Sequence, residues 1–205
     1  MSQSLVARLQ SILDPIPAQA VQPAGHAAVL MLLTDSDDPH IWLIRRSLTM
    51  MLHPGQMAFP GGKGEREDRD LLETAVREAE EEVALPRSLL QPCGSLAVRR
   101  TLTGYSVFPF VGVLPTTVRL IPSPGEVEVV TALPLRAFAD DTHLHIDQIA
   151  RAGLKRGVPR FQVEGCTVWG MTASLIVELV NRFYDAGFPA ELHEPPQFPI
   201  PAPGV

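Results

Sequence analysis

The chain has 205 residues, a formal net charge of −6, 45% hydrophobic residues and 20% charged residues. These values suit one ordinary globular domain with tails and exclude a wholly disordered chain. No apolar run approaches the ~20 residues that span a bilayer.

The first fourteen residues, MSQSLVARLQSILD, lack a basic start and a continuous apolar stretch, so no secretory leader is expected. Within them, Leu5, Leu9 and Ile12 at helical spacing predict a short amphipathic helix over 3–13. A Pro-bearing linker, Pro15 to Pro23, follows. The continuous apolar run AAVLMLLT over 27–34 predicts a buried strand. After the turn DSDDP, His40 to Arg46 predicts a second strand and hence a hairpin. Residues 47–64, rich in Gly and Pro, are expected to form a long loop, and long loops in compact domains are often functional.

The clearest helix is predicted over 70–84. Asp70 is its expected N-cap, with Glu73 three residues on in a box-like arrangement. Leu72, Val76, Ala79 and Val83 form one apolar stripe, and Pro86 stops the helix. Further strands are expected near 94–102, 105–114, 126–133 and 161–169. A last helix is expected from Thr172 to Ala186, with Leu175, Leu179, Val180 and Phe183 inward and Gly187 as its stop. Trp169-Gly170 is expected to be a packing corner. The tail after Phe188 is Pro-rich and expected to be extended. Strands on both sides of a central helix predict an α/β fold, a mixed β-sheet sandwiched between helices.

The charge is unevenly placed. Residues 64–82 hold nine acids and three bases, a local balance of −6, so the rest of the chain is neutral overall. Such a segment repels nucleic acid, which is not an expected partner; it forms either a solvated acidic face or a cation site. Cys93 and Cys166 stand far apart with no CxxC, so neither a disulfide framework nor a zinc cluster is expected, and the cytoplasm is the expected compartment.

Glu78, Glu81 and Glu82 fall within one helical turn, where i+3 and i+4 neighbours share a face. Three carboxylates there repel one another unless a counter-charge is present. Oxygen-only ligands suit Mg2+ or Mn2+ rather than zinc. Arg77 can reach Glu81 at i+4 and support it. Upstream, Gly61-Gly62-Lys63 can fold back over the carboxylates and offer amides to a phosphate. A Gly-Gly loop alone is weak evidence; joined to a carboxylate helix at this spacing it is strong.

Residues 62–85 resemble the Nudix box, G-x5-E-x7-R-E-U-x-E-E-x-G-U, in which U is bulky and aliphatic. Arg77-Glu78-Ala79-Glu80-Glu81-Glu82-Val83-Ala84-Leu85 supplies its second half. The departures are Asp68 for the first Glu, one extra residue before Arg77, Ala84 for the final Gly, and a small Ala79. A second stretch, Arg46-Ser47 through Gly55 to Phe59-Pro60-Gly61-Gly62, resembles the extra motif of the coenzyme A pyrophosphatase branch of the Nudix family. Here Met51 stands where the pattern has Arg, and Arg45 where it has Thr. Pro124-Gly125-Glu126-Val127 and Val168 to Ala173 also resemble this branch.

The resemblance implies a Nudix-like fold over 26–187, preceded by a helix and linker over 1–25 and followed by a Pro-rich tail over 188–205. It implies metal-dependent hydrolysis of the diphosphate of coenzyme A or its thioesters, giving 3′,5′-ADP and 4′-phosphopantetheine. Glu78, Glu82 and Glu81 are the implied metal ligands for Mg2+ or Mn2+. The base is Glu81 or, from a later loop, Glu126. Arg46, Ser47, Gln56, Gly61, Gly62 and Lys63 are the implied substrate contacts, with Arg77 in support. Met50, Met51, Leu52 and Met57 either line a pantetheine channel or belong to the core, and His53 either packs on Met51 or Met57 or meets substrate. The expected partner is a small nucleotide, with neither nucleic acid nor membrane, and a homo-oligomer is left open. The alternatives are the same chemistry on ADP-ribose, NADH or another nucleoside diphosphate derivative, and a non-catalytic Nudix-like binding module.

Overall fold

The computed structural model describes residues 3–101, 103–151 and 154–193, with side chains outside 150–156. The apolar run at 27–34 is the central strand β1 (His26–Thr34), and its alternation explains its continuous hydrophobicity. Ala28, Leu30 and Leu32 face one core; Met31 and Leu33 face another.

The main sheet has eight strands and is mixed. β1 runs parallel to β7 (Ser106–Leu114) over nine residue pairs, and the other pairings are antiparallel. β1 and β2 (His40–Arg46) form the expected hairpin but register only at Leu33 with Ile41. Beyond that point they diverge, and the chain over 57–63 fills the gap. β3 (Met57–Ala58) pairs with β2, and β4 (Gly61–Lys63) pairs with β1. Residues 47–64, expected to be all loop, therefore end in two short strands. A run of Gly and Pro carries no period-two signal, so the wedge was invisible in the pattern. β5 (Gln91–Ser95) and β6 (Arg99–Arg100) share the outer edge of β7, and β8 (Val127–Pro134) lies on β2.

Helix α2 (Leu71–Val83) covers one face and packs Leu71, Ala75, Val76, Ala79 and Val83 onto Leu30, Phe108 and Phe110. The stripe is thus rotated from the expected one: Leu72 is only half-buried, and Leu71 and Ala75 lie innermost. Asp70 caps the helix as expected, accepting from the N–H of Glu73 at 2.8 Å. The return half of the box is absent, because the Glu73 carboxylate bonds Arg69 and Arg87 instead.

Helix α1 (Leu5–Ile12) and helix α3 (Gly170–Tyr184) cover the opposite face, with Leu9, Ile176, Leu179 and Val180 fully buried. The mixed sheet sandwiched between helices is the fold expected from the sequence. A second sheet, β9 (Leu144–Arg151), β10 (Leu154–Val163) and β11 (Cys166–Trp169), packs Phe161, Val163 and Val168 into the same core as α3. The strand expected at 161–169 is really the end of β10, a turn at Glu164-Gly165, and β11. Trp169 is partly exposed rather than packed into a corner. The tail from 194 onward lies outside the described residues.

Candidate active site

The carboxylate helix is held at both ends before any site geometry begins. Its C-terminus closes at Ala84, which adopts the left-handed conformation (φ 51°, ψ 44°) that the Gly of the resembling pattern would take more cheaply. Ala84 N–H still donates to the Glu80 carbonyl at 3.1 Å. The loop 121–127 is tied to this end: Ile121 N–H donates to the Val83 carbonyl at 2.9 Å, and Ser123 N–H to the Glu82 carbonyl at 2.8 Å.

Glu82 is the most buried acid of the trio, 3% exposed. Its Oε2 accepts from Gly61 N–H at 2.9 Å, and its Oε1 lies 3.6 Å from Arg46 Nη1. Burial pushes its carboxyl up to about 7; the Gly61 bond and the Arg46 charge oppose this, and Glu78 and Glu126 add to it. Burial likewise raises Glu78, against the pull of Arg77 and with the help of Glu81 and Glu126. Gly61 and Gly62 are demanded by this closeness. Gly61 sits at φ 151°, where a Cβ would lie 2.3 Å from the Ala28 carbonyl oxygen, and a Cβ on Gly62 would fall 2.4 Å from the Glu78 carboxylate.

Arg77 is the hub beneath the trio. It donates to Asp68 Oδ1 at 3.0 Å, to Glu78 and Glu81 at 3.1 Å each, and to the Lys63 carbonyl at 3.1 Å. The i+4 reach to Glu81 is as expected. Asp68, counted in the sequence only as a departure from the box, is buried and also accepts from Thr74 Oγ1 and Glu65 N–H. The extra residue is taken up in the loop between Gly64 and Asp70, so Asp68 still reaches Arg77. A buried, hydrogen-bonded acid near a helix start was detectable from its spacing to Arg77.

Glu126 is exposed and sits where its charge raises both Glu78 and Glu82. Its carbonyl accepts from Ser47 N–H at 2.8 Å, which joins its loop to the end of β2. Arg46 is half-buried, and its Nε is buried with no hydrogen-bond partner among the described residues. The Ser47 hydroxyl bonds Thr49 Oγ1 at 2.8 Å, and Gln56 Oε1 bonds His53 Nδ1 at 2.9 Å, so both side chains serve their own loop. Lys63 is exposed, with Nζ 5.1 Å from the Tyr105 ring. His53 is exposed and bonds Gln56. Of the four apolar loop residues, Met57 joins the core while Met51 and Leu52 are exposed, which overturns a core role for the last two.

Among the described residues no three acidic or His/Cys groups converge on one point as a closed metal centre does. Glu81 is drawn toward Arg77 with its side chain 57% exposed, and Gly61 holds one oxygen of Glu82. The donor set nevertheless fits a hard divalent cation. It is all oxygen, and the Glu78 and Glu82 carboxylates repel each other at a cost that a cation would offset.

Comparison with known proteins bears on this site. The model of the NUDIX domain matches residues 24–151. An uncharacterized Nudix hydrolase, NudL, of Photorhabdus laumondii is 36% identical over 177 residues, spanning 86% of this chain and 95% of the relative. NudL of Yersinia enterocolitica is 36% identical over 169 residues, spanning 82% and 87%. Among solved structures, a MutT/nudix family protein from Enterococcus faecalis superposes with a TM-score of 0.50 at 16% identity, covering 84% of this chain and 66% of that one. That likeness concerns the fold alone.

Proposed function

The chain belongs to the Nudix hydrolase family, and from that premise we propose that it cleaves the diphosphate of coenzyme A or its thioesters into 3′,5′-ADP and 4′-phosphopantetheine or its acyl form. The observation that carries the reading is the joining of two motifs at one point. Glu82 of the box is held by Gly61 and faces Arg46, both of them in the stretch that resembles the coenzyme A branch. The catalytic unit is assigned to 26–187, acting in the cytoplasm on a small nucleotide; no helix among the described residues is long and apolar enough to cross a membrane.

Family members use divalent metals such as Mg2+ or Mn2+, and Glu78, Glu82 and Glu81 are the residues assigned to hold one here. When bound, the cation neutralises the diphosphate and polarises the phosphorus under attack. The protein's own groups supply the rest. Arg46, with its unpartnered Nε, is assigned to a phosphate oxygen. The backbone of Gly61 and Gly62 allows close approach, and Lys63 adds charge at the rim. Ser47 and Gln56 shape the loop that meets the substrate. Glu81 or Glu126 takes the proton of the attacking water; both are exposed to solvent beside Glu78 and Glu82. Arg77 positions Glu78 and Glu81.

One observation favours a second substrate, ADP-ribose or NADH: Met51 replaces the motif's Arg and is 97% exposed, so a phosphate contact of the branch is missing. The test is product analysis with Mg2+ and with Mn2+ on coenzyme A, ADP-ribose and NADH side by side. Release of 3′,5′-ADP from coenzyme A alone is expected. Turnover of ADP-ribose or NADH instead would keep the metal helix and reject the coenzyme A reading. Absence of turnover with every substrate and metal would favour a binding module.

A further inference from the structure

A sheet sandwiched between helices covers its central strand on both faces, but β1 is fully covered on only one. On the α2 face Ala28, Leu30 and Leu32 are all 0% exposed. On the α3 face Met31 and Leu33 are equally closed, whereas Ala27 and Val29, at the end of the strand beside the site, are only half-buried. Their neighbour is β4: Ala27 pairs with Lys63 and Val29 with Gly61. The bare floor is therefore continuous with the glycine whose N–H holds Glu82.

The rim of this floor is set by β4. A Cβ on Gly62 would meet the Glu78 carboxylate, so Gly62 faces α2 and Lys63, the next residue, faces the other way. Lys63 Nζ lies 5.1 Å from the centre of the Tyr105 ring. Tyr105 is half-buried, and its backbone is fixed to Thr101 twice: its N–H donates to Thr101 Oγ1 at 2.9 Å, and its carbonyl accepts from Thr101 N–H at 2.8 Å. The acids that follow Lys63 in the sequence are engaged elsewhere, with Glu65, Asp68 and Glu78 all on Arg77. Among the described residues Lys63 itself makes no ion pair.

These features suit one kind of ligand. A floor of Ala and Val beside a fixed aromatic ring takes a flat base, because every base has a face that stacks. A lysine without a carboxylate takes a phosphate as a point charge. The spacing joins the two. Lys63 is two residues from Gly61, roughly 7 Å along β4, an interval that one ribose spans between its 5′ and 3′ phosphates. With the diphosphate at Gly61 and Glu82, the 3′ phosphate falls at Lys63.

We propose that Tyr105 stacks the adenine and Lys63 pairs with the 3′ phosphate of the substrate, so that a 3′-phosphorylated adenosine is selected over a plain one. This rests on the coenzyme A reading above and supplies its discriminating contact, since ADP-ribose and NADH carry no 3′ phosphate. Discrimination then lies in β4 rather than in the arm, where Met51 replaces a basic residue.

The experiment measures kcat and KM of the full chain for coenzyme A, 3′-dephospho-coenzyme A and ADP-ribose. It is run on the native protein and on Lys63→Met, Tyr105→Leu and Tyr105→Phe. Calorimetric binding of 3′,5′-ADP and of AMP to the same proteins without metal gives a readout independent of turnover. The native KM is expected to be about tenfold lower for coenzyme A than for its dephospho form. In Lys63→Met the two values converge because only that of coenzyme A rises, and the preference for 3′,5′-ADP over AMP disappears. In Tyr105→Leu KM rises about tenfold for both forms with little change in kcat, and Tyr105→Phe restores it. Lys63→Met acting equally on both forms, or Tyr105→Leu leaving both KM values unchanged, would overturn the assignment and leave the proposed function standing. Cleavage of ADP-ribose with neither coenzyme A compound would overturn the proposed function itself.

Discussion

Gly61 N–H donates to Glu82 Oε2 at 2.9 Å across twenty-one positions of sequence. This one bond ties the wedge strand β4 to the carboxylate helix. It holds a buried acid in a single orientation while leaving its other oxygen facing Arg46. The Gly61 amide is a β-strand donor turned to a side chain rather than to a neighbouring strand.

Glu82→Gln keeps the shape and the Gly61 contact but removes the ligand charge. Turnover is expected to fall by at least ~10²-fold, as for loss of a group that supports a metal site. The thermal midpoint should hold or rise, because burial already disfavours the charged form. Near-normal turnover in the folded variant would remove Glu82 from the metal set. Glu80→Gln is the matched control: among the described residues Glu80 pairs only with Arg87, on the outer face, so activity is unchanged and stability shifts by less than ~1 kcal/mol.

Gly62→Ala tests the close approach. The new Cβ would fall 2.4 Å from the Glu78 carboxylate, so the loop or the acid must move. A stability cost of roughly 1–3 kcal/mol accompanies a larger loss of activity. Parallel melting and rate assays separate the two; an active, unshifted variant would mean that Glu78 does not need its present place.

Arg77→Ala leaves Asp68 buried without its main partner, at a cost of roughly 3–5 kcal/mol near neutral pH. The cost has a defined pH dependence. In the native protein burial raises Asp68, but the bonds from Arg77, Glu65 and Thr74 outweigh it and hold its carboxyl below the ordinary 3.8. Its contribution is therefore full above that value and is lost as pH falls through the native pKa. In the variant the burial effect gains weight, so acidification costs less. The difference in melting temperature between the two proteins should be largest near pH 7 and narrow below about pH 4.

Glu178→Gln probes a buried group far from the chemistry. Glu178 and Arg99 form a buried ion pair on the α3 side of the sheet, and Glu178 also takes bonds from Ala97 N–H and Arg182. Removing the charge strands Arg99 and is expected to destabilise by roughly 3–5 kcal/mol, a drop of several degrees in melting temperature. At low temperature kcat and KM should be unchanged. An altered KM with intact stability would assign this pair to the site instead.

Much of the site was visible in the order of residues because helical spacing is local. Glu78, Glu81 and Glu82 must share a region of one helix, Arg77 must reach Glu81, and two glycines upstream must allow close approach. The same locality exposed the central strand and the terminal helices. It could not rank the three acids, since burial depends on what packs above the helix. It also missed β9 and the wedge of β3 and β4, because pairing partners lie far away in sequence and short strands carry no periodic signal.

The sequence by itself determined which chemistry is available: an oxygen-only acidic helix, a Gly-Gly loop and a basic residue at the end of β2. Hydrophobic periodicity is a property of neighbours along the chain, so the main layers followed from it. Only the tertiary structure decided that Glu82 is the buried member, that Asp68 completes the Arg77 hub despite an extra residue, and that Met51 stands in solvent while Met57 enters the core. Those outcomes depend on desolvation and on contacts across the sheet, which exist only once β1 and β2 part and the loop between them folds back over the helix.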